Sequence, residues 1–137
     1  MLKKYDFLKK LGEYRAYAPL ILRVVLGIIF AAHGYQKLTG MDGVFGMVTG
    51  LGLPAFSAYI LTYTELLGGL ALIAGLATRY AAALIAIVMI VAIWKVKLAT
   101  GLLGGYELEL GFLATAVALM LTGAGPWSLD KVLCGED

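Results

Sequence analysis

The chain is short of the residues from which most redox and metal centres are built. Among its 137 residues there is one histidine, His33, one cysteine, Cys134, and three prolines. A single thiol near the C-terminus excludes an internal disulfide, a CxxC redox pair and a cluster of cysteine ligands, iron–sulfur included. One histidine excludes a bis-histidine haem, and His and Cys together are too few for a zinc site of those ligands. No GxGxxG loop opens a helix after a strand, so no Rossmann nucleotide site is expected. Charge is scarce as well: Asp, Glu, Lys and Arg make up 15% of the chain, against about 25% in a soluble domain. A net charge of +2 supplies no basic face for a nucleic acid. The segment before residue 17 is too mixed for a signal-peptide core, and none is expected.

What remains is apolar. Hydrophobic residues make up 61% of the sequence and the mean hydropathy is +0.90, which places the chain in a lipid bilayer. A membrane-crossing helix needs about 20 mostly apolar residues. Four segments meet that need, at about 17–38, 54–76, 79–97 and 104–123. The expected fold is an all-α integral membrane protein, a four-helix bundle of residues 17–125. An amphipathic segment, 1–16, precedes it and a tail, 126–137, follows. Pro19 and Pro54 sit where a helix can begin, because the first turn leaves proline's missing donor unpaired anyway. Lys3, Lys4, Lys9, Lys10 and Arg15 cluster at the N-terminus, so the positive-inside rule predicts both termini in the cytoplasm. Arg79 and Lys131 agree with that orientation, whereas Lys95 and Lys97 oppose it. Phe7, Leu8, Leu11 and Tyr14 recur at helical spacing among the lysines and predict a short surface helix. Between the first two spans, Asp42 is positioned to cap a short helix in the outer interface.

The few charges inside the spans are informative. Glu65 is the only charged residue from Gly43 to Thr78. A charge at bilayer depth costs at least about 2.5–3.5 kcal/mol on insertion scales, so it is expected to face the protein interior and to be partnered. On a helix through the first span, Arg23, Leu26, Gly27, Phe30, His33, Gly34 and Lys37 share one stripe. In the second span, Ala58, Thr62, Glu65, Gly68, Gly69, Leu72 and Gly75 share another. Small residues let membrane helices approach closely, so both stripes should pack inward. In the fourth span, Glu107 falls on the small-residue face with Gly111, Ala114, Thr115 and Ala118, and Glu109 points the opposite way.

By depth, Glu65 lies near the midplane, with Arg23 to its inner side as the expected counter-ion. His33, Lys37, Trp94, Lys95, Lys97, Tyr106 and Glu107 gather toward the outer end. The expectation is an outward-facing polar cavity in which His33 and Glu65 carry protons. Arg23, Lys37, Trp94, Tyr106 and Glu107 would bind the ligand. A quinone suits it, needing a flat apolar slot, donors at its carbonyls and a proton supply. A purely structural Arg23–Glu65 pair, lysines that snorkel and aromatics that anchor at the interface are the alternatives.

Five sequence motifs extend this reading: RVVLGIIFAAHGYQKL at 23–38, GLP at 52–54, ELLGGLALIAGLATR at 65–79, GGYE at 104–107 and TGAGPWSLD at 122–130. In this order they resemble the DoxX family of small four-helix membrane proteins. The resemblance implies a four-helix bundle and an association with quinone-linked oxidoreductases, including the small subunits of thiosulfate:quinone oxidoreductase, and with redox stress. By matching position it implies Arg23, His33, Lys37, Glu65, Arg79 and Glu107 as polar residues of interest. The expected function is a membrane component of a quinone-linked oxidoreductase system, with a redox partner subunit. The alternatives are a scaffold for soluble redox enzymes and a transporter of a small metabolite or proton. Glu109, without an evident internal partner, points to a homo-oligomer.

Overall fold

The computed structural model describes residues 2–135, and side chains from Asp6 onward. Lys3 and Lys4 of the basic cluster therefore lie outside the described side chains. Every element among the described residues is helical. The first helix runs without interruption through α1 (Leu2–Leu11), a 3₁₀ stretch (Gly12–Tyr17) and α2 (Ala18–Thr39). Short α3 (Met41–Gly50) follows, then α4 (Ser57–Ala74), α5 (Thr78–Ala92), α6 (Glu107–Thr122) and the tail helix α7 (Leu129–Cys134). Among the described residues, four stretches are long and apolar enough to cross a membrane: Asp6–Thr39, Ser57–Ala74, Thr78–Thr100 and Leu102–Thr122.

Two expectations about helix starts are corrected. The second span begins at Ser57 rather than Pro54, because the Pro54 carbonyl accepts the Ser57 amide and hydroxyl in a preceding turn. Asp42 does not cap α3; Gly40 holds the cap position and no side chain bonds there.

The bundle divides into two hairpins. α2 packs on α4 through glycines. A Cβ on Gly34 would stand 2.3 Å from the Leu66 amide nitrogen, and one on Gly69 2.3 Å from that of Ala31. Contact this close needs a bare backbone, which is why small residues line the interface. All seven residues of the second-span stripe, Ala58 to Gly75, are buried. α5 packs on α6 in the second hairpin. Leu26, Phe30, Leu72, Ile85, Met89 and Leu119 fill the space between hairpins, and the rings of Phe30 and Phe112 meet edge-on at 5.4 Å.

Both termini emerge at one end of the bundle, the terminal end, where Tyr17 and Trp127 stack edge-on at 6.1 Å. At the distal end the helices of the second hairpin lose regularity. Ile93–Lys97 is a π-helical turn, and between Leu102 and Tyr106 the backbone kinks, leaving helical angles at Leu103 and Gly104. Such wide turns often mark functional segments.

Candidate functional site

Glu65 is held inside the first hairpin, with only 6% of its side chain exposed. Its partner is Lys37, whose Nζ donates to Glu65 Oε2 at 2.8 Å. The expectation that Arg23 is the counter-ion is thereby corrected. Arg23 is fully buried and gives all of its guanidinium donors to backbone carbonyls. Nε bonds Ala124, Nη1 bonds Leu72 and Ile73, and Nη2 bonds Pro126 and Trp127, at 2.6–3.1 Å. Arginine has five N–H groups, so none is left for a ligand. The reason is local. Leu72 and Ile73 stand in the last turn of α4, where carbonyls keep acceptor capacity (Leu72 also takes the Gly75 amide) and the helix dipole favours a cation. Arg23 answers both needs before it can reach Glu65.

A second ion pair joins the second hairpin: Lys97 Nζ donates to Glu109 Oε1 at 2.5 Å, with 12% of the Glu109 side chain exposed. Here the assignment of Glu107 to the interior and Glu109 to the outside is corrected. Glu107 is exposed and accepts the Gly104 amide at 3.3 Å. The inward face of α6 runs through Glu109, Phe112, Ala116 and Leu119, because bulky residues fill the gap between hairpins and the small-residue rule does not govern there. Glu109 therefore has an internal partner, and the sequence-based argument for an oligomer from that residue lapses.

Depth follows from the Phe30–Phe112 contact. Four residues beyond Phe30, Gly34 packs on Leu66, next to Glu65; three residues beyond Phe112 on the distal side lies Glu109. Both carboxylates thus sit about one helical turn distal to the two rings. His33 stands at this level as well. It follows Leu26 by seven residues, almost in phase on the helix. Yet Leu26 is buried and His33 exposed. One turn beyond Phe30 the stripe is still buried at Gly34, and only its edge at His33 is exposed. Of the other residues predicted for the site, Trp94 is 63% exposed with Lys95 Nζ 4.4 Å from its ring centroid, and Tyr106 is half-buried.

At the terminal end Asp130 does work that the sequence reading did not assign. Its Oδ1 accepts the Ala77 amide at 2.6 Å and Oδ2 that of Thr78 at 2.9 Å, while its own amide donates to Gly75. The tail thus caps the start of α5. Ser128 Oγ accepts the Lys131 amide and begins α7. The signal was present in TGAGPWSLD, where glycines and a proline end a helix and serine and aspartate can cap the next. A groove of about 260 Å³ runs beside this tail, between Thr78, Arg79, Asp130 and Cys134. Its carboxylate is already committed to two amides, and it lies at the opposite end from both ion pairs.

The model of the DoxX family matches residues 18–98, more than half of the chain. The chain belongs to the DoxX family. This DoxX protein is 42% identical over 111 residues to a protein of Bacillus subtilis (strain 168) named "Putative oxidoreductase CatD", covering 81% of the chain and 83% of that relative. It is 28% identical to the Escherichia coli (strain K12) "Inner membrane protein YqjF", covering 83% and 90%. It is 30% identical to "Uncharacterized membrane protein Rv3486" of Mycobacterium tuberculosis (strain ATCC 25618 / H37Rv), covering 83% and 80%. No solved structure matches. Four apolar helices and membrane-protein relatives make this DoxX protein a multi-pass membrane protein.

Proposed function

We propose that this protein is the membrane component of a quinone-linked oxidoreductase system. In this reading a quinone or small reductant binds in the distal half of the bundle, between the two hairpins. The observation that carries the reading is the Lys37–Glu65 pair, its carboxylate buried, at the depth where His33 on the edge of the α2 stripe is exposed. An ion pair so deep in a bilayer is costly and is seldom kept without a use. Lys37, with 23% of its side chain still exposed, offers a donor to a ring carbonyl. Glu65 and His33 supply and accept the two protons as a redox partner subunit passes two electrons to or from the ring. Phe30 closes the site from below, and Trp94 and Tyr106 lie toward its mouth. The relative in Bacillus subtilis that is named an oxidoreductase supports the reaction class. The terminal end, which carries Arg15, Arg79 and Lys131, faces the cytoplasm in this reading, and α3 lies in the outer interface.

The test is quinone binding by the purified protein in lipid nanodiscs, compared with His33→Ala and Glu65→Gln. The expected result is at least a tenfold loss of affinity in each. Unchanged binding in both variants sinks the proposal.

A second reading, a scaffold that recruits a soluble redox enzyme, is favoured by one feature. Phe7, Leu8, Leu11 and Tyr14 on α1 and the 3₁₀ stretch after it are all at least half exposed. Co-purification of a soluble partner that disappears when residues 1–15 are deleted is its expected mark.

A further inference from the structure

Among the described residues, Glu109 is the one carboxylate whose bonding is incomplete in a buried place. Lys97 holds Oε1, while Oε2 is buried without any hydrogen-bond partner. Leaving a charged acceptor unsatisfied inside a protein is expensive, so a donor is expected to complete it. Three observations restrict that donor. A cation is poorly matched, because Lys97 already neutralises the carboxylate. The depth is that of Glu65, one turn distal to the Phe30–Phe112 contact, so the donor must belong to a molecule that enters the bilayer. The backbone beside it departs from a regular α-helix, with a π-turn at Ile93–Lys97 and a break at Leu103–Gly104, a departure often found at ligand sites.

We infer that Glu109 Oε2 accepts the hydroxyl of an aromatic diol, the reduced form of the ligand bound between the hairpins. The inference rests on the quinone reading above and adds a redox-state preference to it. Lys37 and Glu109 then have opposite tasks. Lys37 can only donate and favours a ring carbonyl, whereas ionised Glu109 can only accept and favours a ring hydroxyl. The site thereby distinguishes the two oxidation states by which hairpin holds the ring oxygen. Glu109 acts as a specificity-determining residue and takes no proton itself.

The experiment uses duroquinone and its hydroquinone, with the full chain in nanodiscs, and compares wild type with Glu109→Gln. Glutamine is isosteric but offers an amide donor beside its carbonyl. The expected result is a tenfold or larger loss of hydroquinone affinity with quinone affinity held or raised. Equal changes for the two forms, or no change, overturn the inference. So does a change of oligomeric state in E109Q without a change in selectivity, which would show that a second copy completes Oε2. Should E109Q unfold because Lys97 is left unpaired, the double variant K97M/E109Q removes both charges and carries the same comparison. If wild type binds neither form, the quinone reading itself fails; if it binds both and E109Q keeps the same preference, only the role of Glu109 fails.

Discussion

The two ends of this bundle handle buried charge in opposite ways. At the terminal end, Arg23 spends every donor on carbonyls of α4 and of the segment after α6, and Asp130 spends both oxygens on amides at the start of α5. Asp130 is near enough to Arg23 to attract it as well. These charges are consumed in closing the fold. At the distal end the two shielded carboxylates pair with lysine side chains, Glu65 with Lys37 and Glu109 with Lys97, and the Glu109 pair is left with an open acceptor. The lesson is that a buried charge bonded to backbone is a fastener, whereas one bonded to a partly exposed side chain retains chemistry to give.

The sharpest way to break the comparison is Arg23→Met. The variant abandons carbonyls of α4 and of residues 124–127 together, and bonds from a charged donor are worth about 1.5–3 kcal/mol each. Losses within one network are not additive. A destabilisation of at least about 3 kcal/mol is expected, read as early thermal unfolding in detergent. If Arg23→Met proves as stable as wild type, the terminal end is not the fastener. Lys37→Met should follow, at about 2–3 kcal/mol. It strands Glu65, and breaking a fully buried pair costs about 3–5 kcal/mol, reduced here because Lys37 is part-exposed. K37M/E65Q should recover most of that loss, since no lone charge then remains.

Gly34→Ala tests the frame between the two ends. Its methyl meets the α4 backbone rather than a movable side chain, so about 1–3 kcal/mol is expected, with both hairpin stability and ligand affinity falling. Asp130→Asn keeps one acceptor of its two and loses the charge at the helix start, for about 1 kcal/mol, without altering ligand binding. His33→Ala should move stability by less than about 0.5 kcal/mol, because the residue is exposed, while weakening quinone at least tenfold. That split between stability and affinity would mark the distal end as functional. A parallel fall of both would erase the contrast between the ends.

Reading the sequence worked where one rule governed. Glu65 among small residues had to face inward, since lipid tolerates neither a charge nor a cleft, and α4 buries it together with Gly68 and Gly69. The same rule failed on α6. There the neighbour is a hairpin held off by Phe30 and Phe112, so bulk was required and Glu109 turned inward in place of Glu107. It failed on Arg23 because helical phase gives direction without reach. Nothing in the spacing of the first span shows that carbonyls at 124–127 return to within bonding distance.

By itself the sequence determined that this chain crosses a membrane as helices, and that the charges of the first hairpin lie on its packing face. Those facts follow from the cost of bare backbone and charge in hydrocarbon, which acts on each segment alone. Only the tertiary structure decided who partners whom. Lys37 rather than Arg23 meets Glu65, Lys97 meets Glu109, and the tail locks the terminal end. A charge takes whichever complementary group the packed helices bring within about 3 Å, and that proximity is set by packing between segments rather than by any one of them.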